Sequence, residues 1–372
     1  MSLLKEKYQA SIVDKLVSFK WLIVKLLMIG SAVNAQSLKV GVVGLSHDHA
    51  HGVMNQFKKG EVTIVGIVET DLNLIDRYKK RYQLSESLFY KTTDEMITKV
   101  KPEAVLAYNA IADHLSVVES CAPKGISVMV EKPLATTVKD AERIAALAKQ
   151  YNIHVLTNYE TTWYPSNQHI NTMVNNQNAI GHIRKMIVHD GHQGPKEIGC
   201  SEEFLAWLTD PVKNGGGALT DFGCYGANLM TWLMKGKTPV AVTAITKQIK
   251  PQIYPNVDDD ATILIEYEDA IGIVEASWNW PFGIKDLEVF GTTGYLHAAN
   301  ANTIRERKKD TYESVAVKPP AYTHNIKYFA DVLNGKIDPT DDLSSLENNL
   351  IVVRILESAR ESAREGKRIL VR

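Results

Sequence analysis

Three side chains of this sequence, Lys132, Asp221 and Tyr225, are of types that together could remove a proton from an alcohol. Oxidation of a secondary alcohol removes the hydroxyl proton while a hydride leaves the carbon, so a base must take up the proton. A phenol has a pKa of about 10, which a nearby ammonium lowers. We expect Tyr225 to take the proton, with Lys132 lowering the Tyr225 pKa and polarising the substrate oxygen. Asp221 would orient the lysine or a substrate hydroxyl, or cap a helix.

Because 93 residues separate Lys132 from Tyr225, only the fold could bring the two side chains together, and their convergence is implied by the family resemblance given below rather than by spacing. Residues 38–157 alternate short apolar runs, rich in Val and Ile, with segments of helical length, and such runs are typical of strands buried on both faces of a parallel sheet. We predict a doubly wound α/β domain. The predicted strands and helices are Lys39–Val43, Val62–Val68, Ala104–Ala107, Ile126–Val130, Ile153–Leu156, Leu72–Tyr82, His114–Cys121 and Val138–Gln150.

The first of these strands ends in a sequence that partly matches a dinucleotide-binding turn. Gly44 occupies the tight-turn position, while Ser46 and His49 replace the second and third glycines. Serine still allows the backbone to approach a pyrophosphate, whereas His49 adds bulk where the helix meets the strand. Glu69, 25 residues after Gly44, ends the second strand and could bond the adenosine ribose. A carboxylate there would repel a 2′-phosphate, which favours NAD over NADP.

Three histidines near this turn invite comparison with a metal site. On a helix, His47 and His51 would lie four residues apart on one face, as two metal ligands could. No third ligand with matched spacing is evident, and the segment follows a strand at the predicted pyrophosphate position. We therefore predict no metal, and expect His49 or His51 to line a cofactor or substrate pocket.

The second half of the chain has a different pattern. Successive strand-like segments without intervening helices predict a mainly antiparallel sheet, with helices on one face and the other face open. Glu268-Asp269 is a plausible hairpin turn, residues 190–213 form a long loop, and Leu346–Glu365 is a final helix that ends at Gly366. The predicted strands are Val240–Thr246, Thr262–Tyr267, Ile271–Ala276 and Leu287–Phe290.

The composition excludes several classes of protein. Hydrophobic residues make up 45% of the 372 residues and charged residues 23%, as in ordinary globular proteins. Lys plus Arg (42) nearly equals Asp plus Glu (43), so no basic field is available to bind nucleic acid. Three widely spaced cysteines are too few for a disulfide framework or a four-cysteine zinc site. The expected partners are small molecules.

The first 35 residues resemble a secretory signal peptide. Lysines precede an apolar stretch, Trp21–Val33, which only Lys25 interrupts, and small residues end at Ala35. The apolar run after Lys25 is too short to cross a bilayer, which takes about 20 residues, so no stable membrane anchor is expected after cleavage. We predict an exported, periplasmic protein; if residues 1–35 are instead a structural arm, the protein is cytoplasmic. The leader holds five Lys and two acidic residues, so the remaining 337 residues carry 37 basic and 41 acidic residues, a net charge of −4.

Several motifs resemble those of the glucose–fructose oxidoreductase, inositol dehydrogenase and rhizopine-catabolism (Gfo/Idh/MocA) family. Glu131-Lys132-Pro133 ends a buried strand, and Gly215-Gly216-Gly217 leads to Asp221 and Tyr225. The family usually has His where this chain has Tyr225, and many members have Asp where it has Asn228; the Tyr form is similar to the glucose–fructose oxidoreductase and dihydrodiol dehydrogenase branches. Further matches are Asn109 with His114, Trp163-Tyr164-Pro165 and Ile180-Gly181-His182-Ile183.

The resemblance implies a Rossmann-type NAD(P)-binding domain over residues 37–157 and an α+β domain over residues 158–372, whose C-terminal helices could pack back on the first domain. It also implies a cis Lys132-Pro133 peptide and a homo-oligomer, a dimer or tetramer formed through the open sheet. The substrate side would involve Lys132, Trp163, Tyr164, Asp221 and Tyr225. The implied cofactor contacts are Gly44, Ser46, His47, His49, Glu69, Asn109, His114, Glu131 and Lys132.

The implied activity is hydride transfer between a nicotinamide cofactor, NAD rather than NADP, and a secondary alcohol of a sugar, cyclitol or polyol. Two alternatives remain open. One is a glycosidase or lyase in which NAD is reduced and reoxidised within each cycle, as in some relatives of the family. The other is a non-catalytic protein that binds a sugar or nucleotide on the same fold, since a fold does not determine a function.

Overall fold

The apolar runs of the first half form a six-stranded parallel sheet in the computed structural model, which describes residues 37–372. Its order is β3-β2-β1-β4-β5-β6, so the predicted parallel α/β sheet is confirmed. Every residue of β4 and β5 is buried, as expected for strands covered by helices on both faces. The strands are β1 (Lys39–Val43), β2 (Thr63–Val68), β3 (Phe89–Tyr90), β4 (Ala104–Ala107), β5 (Ser127–Glu131) and β6 (Val155–Asn158).

Helices alternate with these strands, and their ends follow local sequence signals. The Thr137 side chain accepts a hydrogen bond from the Asp140 backbone N–H, which caps α5 as expected, and Asp71 caps α2 in the same way. Asn152, in the left-handed region, ends α5. The helices are α1 (Ala50–Lys58), α2 (Leu72–Tyr82), α3 (Thr93–Val100), α4 (His114–Cys121) and α5 (Val138–Tyr151).

The second half forms a nine-stranded sheet in the order β14-β13-β12-β11-β7-β10-β9-β8-β15. Among the strand pairs described in this second sheet, only β7 and β10 are parallel, so the predicted mainly antiparallel sheet is confirmed. The Glu268-Asp269 turn connects β9 and β10 as predicted. The strands are β7 (Ile183–Gly191), β8 (Ala241–Lys247), β9 (Asp260–Glu266), β10 (Ile271–Ser277), β11 (Ile284–Gly291), β12 (Tyr295–Asn300), β13 (Thr303–Arg307), β14 (Glu313–Val315) and β15 (Ile369–Leu370).

Two features of this half differ from the sequence-based prediction. A central strand, β7, includes Asp190, which the sequence had assigned to a loop, and a helix, α7, lies within residues 190–213. The strand pairs on both edges, with β10 and β11, so its position in the sheet is set by neighbours distant in sequence. The helices of this half are α6 (Pro165–Asn171), α7 (Glu202–Leu208), α8 (Ala218–Asp221), α9 (Gly223–Leu233), α10 (Asn325–Leu333) and α11 (Leu346–Glu365), and Gly366 ends the last one as predicted.

The last two helices contribute to the cores on the first sheet. Phe329 of α10 packs in the cluster that contains Val40 and Val42, while Val353 of α11 packs in the cluster around Val105. Residues Leu38–Arg372 accordingly form one compact unit. The boundaries predicted at residues 37–157 and 158–372 stay a prediction, and the predicted leader lies outside the described residues. Among the described helices, none is long and apolar enough to cross a membrane.

Candidate active site

Lys132 and Asp221 form the central ion pair of the site. Lys132 follows β5 at its carboxyl end, the Lys132-Pro133 peptide is cis, and Asp221 ends the short helix α8. The Lys132 Nζ lies 2.5 Å from Asp221 Oδ1 and donates a second hydrogen bond, at 3.1 Å, to the Asp221 carbonyl oxygen. Trp278 donates its indole N–H to Asp221 Oδ2 at 3.0 Å. Asp221 therefore orients the lysine, and it is not the cap of a helix.

Both members of this pair are held in their charged forms. Lys132 is 5% exposed and Asp221 is 6% exposed. Burial by itself would lower the Lys132 pKa, but the Asp221 carboxylate raises that pKa above its ordinary value. Burial would likewise raise the Asp221 pKa, and the Lys132 ammonium lowers it. The pair thus presents a fixed, dry ammonium next to Tyr225.

Tyr225 lies in α9 with its ring close to Lys132 and to a second lysine, Lys285. The Lys132 Nζ is 5.1 Å from the ring centroid and the Lys285 Nζ is 4.1 Å from it. Burial, followed by the carboxylates of Asp190 and Glu160, raises the Tyr225 pKa well above its ordinary value. The expected overall lowering of the Tyr225 pKa is therefore wrong in this structure, because burial and the nearby carboxylates outweigh the effect of the lysines.

The second lysine belongs to a charge cluster that sequence reasoning missed. Lys285, on β11, lies opposite Asp190 of β7 in the sheet register. The Lys285 Nζ donates to Glu160 Oε2 at 2.8 Å and lies 3.7 Å from Asp190 Oδ1. Asp190 is 1% exposed, and burial raises its pKa to about 7. The only signals of this cluster in the sequence were the charged residue Asp190 at an inward position of β7 and Lys285 at an inward position of β11.

The turn after β1 has the geometry that its glycine predicts. Gly44 has φ +80°, and a Cβ at this position would lie 2.8–2.9 Å from Asn109 atoms. Its backbone N–H donates to the Val68 carbonyl at 2.9 Å, which fixes the turn at the carboxyl end of the sheet. The Asn109 Oδ1 is buried beside the turn with no hydrogen-bond partner among the described residues. Gly44 thus lets Asn109 pack closely against the turn, at the position where a dinucleotide binds in this fold.

A chain of hydrogen bonds connects His49 to Trp163 through Glu131. The His49 Nδ1 lies 2.9 Å from Glu131 Oε2, Asn158 donates to Glu131 Oε1 at 2.7 Å, and Trp163 donates to Asn158 at 3.1 Å. Burial would raise the Glu131 pKa, but His49, Asn158 and Lys132 lower it overall, so the carboxylate is ionised. The structure thus brings predicted cofactor residues and Trp163 into one network, with the His49 side chain 42% exposed.

His47 and His51 face different surroundings. His51 Nδ1 lies 2.7 Å from the Tyr82 hydroxyl, so the helical His47–His51 metal pair is not formed. His47 is 1% exposed, and it lies with His49 and Glu131 in a group whose ligand atoms are within 4.8 Å of one another. However, the His47 Nδ1 accepts the His49 backbone N–H at 3.1 Å, so the neutral ring carries its proton on Nε2 and has no lone pair there for a metal. The tautomer therefore disfavours a metal ion.

The remaining predicted residues have structural partners as well. Glu69 accepts the Leu45 backbone N–H at 3.0 Å on Oε2, and its Oε1 accepts two further backbone N–H groups, so it orders the turn that it was predicted to serve. His114 is fully buried and directs Nδ1 to the Leu134 carbonyl; burial lowers its pKa to about 4. Tyr164 donates its hydroxyl to Glu160 at 2.7 Å. Cofactor contacts by the His47 and His114 rings stay a prediction.

A helix from the second half covers the turn after β1, which the sequence could not indicate. The Trp207 indole donates to the Ser46 carbonyl at 3.3 Å, and the Ser201 backbone N–H donates to Asp48 at 3.1 Å. The His47 ring packs 4.7 Å from Phe204 and 5.4 Å from Trp207. The two halves of the chain therefore meet directly over the predicted cofactor turn.

The sequence matches identify the family. Residues 38–159 match the oxidoreductase family with an NAD-binding Rossmann fold, and residues 168–297 match the GFO/IDH/MocA C-terminal domain. The chain belongs to the Gfo/Idh/MocA family of oxidoreductases, and its first domain is an NAD-binding Rossmann domain. The buried, unpartnered Asn109 oxygen beside the Gly44 turn fits such a cofactor.

The names of similar proteins include several activities. Trans-1,2-dihydrobenzene-1,2-diol dehydrogenase of Xenopus tropicalis is 23% identical over 234 residues, 63% of this chain and 66% of that protein. The rhizopine catabolism protein MocA of Rhizobium meliloti is 24% identical over 212 residues, 56% of this chain and 63% of that protein. The chain thus spans just under two thirds of the length of these curated relatives.

Solved structures of low identity share the fold. The aldose-aldose oxidoreductase of Caulobacter crescentus, complexed with glycerol, has a TM-score of 0.75 at 21% identity, covering 90% of this chain and 99% of that one. An inositol dehydrogenase homolog of Azotobacter vinelandii, complexed with NAD⁺, has a TM-score of 0.76 at 16% identity, covering 90% and 98%. At these identities the similarity establishes the two-part architecture.

Proposed function

We propose that this protein is an NAD-dependent dehydrogenase that acts on a secondary alcohol of a sugar, cyclitol or related polyol. The observation that carries this proposal is the meeting of Lys132, Asp221 and Tyr225, with a Lys132–Asp221 distance of 2.5 Å and Lys132 5.1 Å from the Tyr225 ring centroid. The names of the relatives, which include a diol dehydrogenase and an aldose oxidoreductase, support a polyhydroxylated substrate.

The residues of the site have separate roles in the proposed reaction. The backbone at Gly44 and the side chains of Asn109 and Glu131 would hold the dinucleotide, which when bound supplies the acceptor or donor of a hydride. Lys132, kept charged by Asp221, stabilises negative charge on the substrate oxygen as its proton leaves. Tyr225 stays a phenol at neutral pH and hydrogen-bonds that oxygen, so it transmits a proton rather than acting as a stored phenolate.

NAD is the preferred cofactor in this proposal. The carboxylate of Glu69 lies at the end of β2 and that of Asp71 follows it as the cap of α2, and negative charge at this position repels a 2′-phosphate. Fluorescence titration with NADH and with NADPH measures the preference; tighter binding of NADPH would contradict it.

Replacement of Lys132 tests the proposed activity. We expect Lys132→Ala to lower kcat/KM for NAD⁺-dependent polyol oxidation by about 10³-fold or more, because it removes the ammonium that stabilises the substrate oxygen. Lys336→Ala, which removes an exposed lysine paired with Asp331, is the matched control and should leave turnover unchanged. Circular dichroism and thermal unfolding check that each variant is folded.

The same assay separates the two alternatives. Cleavage of a glycoside without net NADH formation would replace the dehydrogenase with a lyase that recycles its cofactor. Sugar binding detected by calorimetry, with no redox change of bound nucleotide at any pH, would indicate a binding protein. Unchanged turnover in Lys132→Ala would contradict the proposed site.

The open face of the second sheet supports the proposed homo-oligomer. Leu264 of β9 and Ile271 of β10 are 43% and 46% exposed on adjacent strands, and Ile245 of β8 is 63% exposed. Association through this face would remove these side chains from water. Light scattering measures the assembly, and a monomer at micromolar concentration would contradict it.

Export is the proposed fate of the chain, with residues 1–35 as its leader. The basic and apolar pattern of that segment supports the proposal. The N-terminal mass of protein recovered from a periplasmic fraction tests it, since cleavage after Ala35 leaves a chain that begins at Gln36. An intact cytoplasmic chain would favour the structural arm.

A further inference from the structure

The charges around Tyr225 do not balance. Two ammonium groups, Lys132 and Lys285, face three carboxylates: Asp221, Glu160 and Asp190. Asp221 is paired with Lys132 at 2.5 Å, and Glu160, whose side chain is 51% exposed, receives the Lys285 hydrogen bond at 2.8 Å. The three carboxylates therefore exceed the two ammonium groups by one negative charge. The carboxylate without a close cationic partner carries this excess charge.

Asp190 is that group. It is 1% exposed, its Oδ1 has no hydrogen-bond partner among the described residues, and its nearest cation, Lys285, is 3.7 Å away. An ionised carboxylate with a buried oxygen that has no hydrogen-bond partner is poorly solvated, so its neutral form is favoured. Burial indeed raises the Asp190 pKa to about 7, even though Lys285 and Lys132 lower it.

Lys285 connects Asp190 to the ring of Tyr225. Its ammonium is 3.7 Å from the carboxyl oxygen and 4.1 Å from the centroid of the phenol ring. The Asp190 carboxylate raises the pKa of Tyr225, so ionisation of either group disfavours ionisation of the other. The ionisable groups that act on Asp190 or respond to it, from every surrounding element, are Lys285, Lys132, Asp221, Glu160, Tyr164, Cys224 and Tyr225.

We propose that Asp190 is the proton-holding residue of the site, which accepts the proton released in alcohol oxidation and returns it in carbonyl reduction. This inference rests on the proposed dehydrogenase function and adds a residue to it. Asp190 does not touch the substrate. It acts through Tyr225 and positions the proton.

The proton balance of the reaction is simple. In oxidation, the C–H bond breaks and its electron pair leaves as hydride to the nicotinamide, so the substrate is oxidised and the cofactor reduced. The substrate O–H proton passes to the Tyr225 oxygen, while the Lys285 ammonium, 3.7 Å from Asp190 Oδ1, gives a proton to the Asp190 carboxylate and regains one from Tyr225. Tyr225 ends as a phenol, Lys285 as an ammonium and Asp190 as a carboxylic acid. The proton then leaves Asp190 for solvent by way of Lys285 and Glu160, whose side chain is 51% exposed, and reduction runs the same steps backwards.

The pH dependence of turnover tests the proposal. Oxidation requires ionised Asp190, so kcat/KM should rise with pH through the Asp190 ionisation, and reduction should fall through it. Asp190→Asn should lower kcat/KM for oxidation about 100-fold and remove the inflection near neutral pH. Asp331→Asn is the matched control, since Asp331 also contacts a lysine and a tyrosine, Lys336 at 2.8 Å and Tyr322 at 2.9 Å, outside the site. An unchanged neutral inflection in Asp190→Asn would overturn the proposal.

A second measurement needs no turnover. Infrared difference spectra of the full-length protein, recorded across neutral pH, should contain a protonated-carboxyl band that titrates in the wild type and is missing in Asp190→Asn. Absence of such a band in the wild type would overturn the inference even if the enzyme is active. Conversely, a titrating band in a protein that oxidises no polyol would contradict the proposed function while retaining the ionisation of Asp190.

Discussion

Lys132 and Lys285 both lie near the ring of Tyr225, at 5.1 Å and 4.1 Å, but their charge environments differ. Lys132 follows a strand of the first sheet and faces one carboxylate, Asp221, at 2.5 Å. Lys285 is part of a strand of the second sheet and faces two, at 2.8 Å and 3.7 Å. The first environment is balanced and stays charged, whereas the second has an excess carboxylate that can change protonation. The site thus separates a fixed charge from a titrating one.

Breaking the balanced pair should have the largest effect on stability. We expect Asp221→Asn to lower the free energy of unfolding by about 3–5 kcal/mol, because it leaves the Lys132 ammonium buried without a charged partner. Urea denaturation at neutral pH measures the loss. The double variant Lys132→Met/Asp221→Leu removes both charges and should recover most of it. A loss below about 1 kcal/mol in Asp221→Asn would show that the pair is not balanced as described.

Removal of the second lysine should cost less, and the loss should depend on pH. Lys285→Met is expected to lower the free energy of unfolding by about 2 kcal/mol at alkaline pH. This loss is smaller than that of Asp221→Asn, because Asp190 can take a proton and Glu160 is exposed to water. The folded-state Asp190 pKa lies above its unfolded value, so the fold loses stability as pH rises from the unfolded pKa to the folded pKa. Lys285 offsets a charge on Asp190 only where Asp190 is ionised in the folded protein. The loss should therefore shrink at acidic pH.

Unfolding curves at several pH values measure this difference between the two lysines. Lys336→Met, at an exposed pair with Asp331, serves as the control and should change stability by less than about 1 kcal/mol at every pH. A pH-independent loss in Lys285→Met would mean that Asp190 does not titrate in the folded protein.

The smallest expected effect concerns the turn on the Lys132 side of the site. Gly44→Ala places a methyl group 2.8–2.9 Å from Asn109 atoms at φ +80°, whereas Gly60 has φ +74° and no atom within 4 Å of the same position. Both variants lose the left-handed freedom of glycine, worth about 1 kcal/mol, and only Gly44→Ala adds a clash with backbone. We expect Gly44→Ala to be less stable than Gly60→Ala by about 1–2 kcal/mol and to bind NADH more weakly. Equal stabilities would remove the argument that backbone approach requires Gly44.

Five of the six strands of the first sheet could be predicted from sequence, and the two-residue edge strand β3 was missed. Its buried strands are continuous apolar runs, so β1 agrees in both bounds, and β5 is displaced by one residue at each end. The strand ends then located Lys132 and the turn at Gly44, because the carboxyl ends of parallel strands meet at one edge. Local pattern was sufficient because both faces of these strands are covered.

The second sheet could not be predicted from local pattern in the same way. The inward positions of β7 are Met186, Val188 and Asp190, and the carboxylate at the last position breaks the alternation that marks a strand. Trp278 is not among the predicted site residues, yet its indole donates to Asp221 at 3.0 Å. Such polar contacts between distant segments have no periodic signal in the chain.

The sequence by itself determined the parallel sheet, the family and the residue types of the central site, because strand burial and short motifs are local properties. Only the tertiary structure decided which charges pair. It placed Lys285 opposite Asp190, paired Lys132 with Asp221, and buried Tyr225 near the carboxylates of Asp190 and Glu160, so the Tyr225 pKa is raised rather than lowered. The physical reason is that pKa values depend on burial and on charges a few ångströms away, and these neighbours come from strands and helices far apart in the chain.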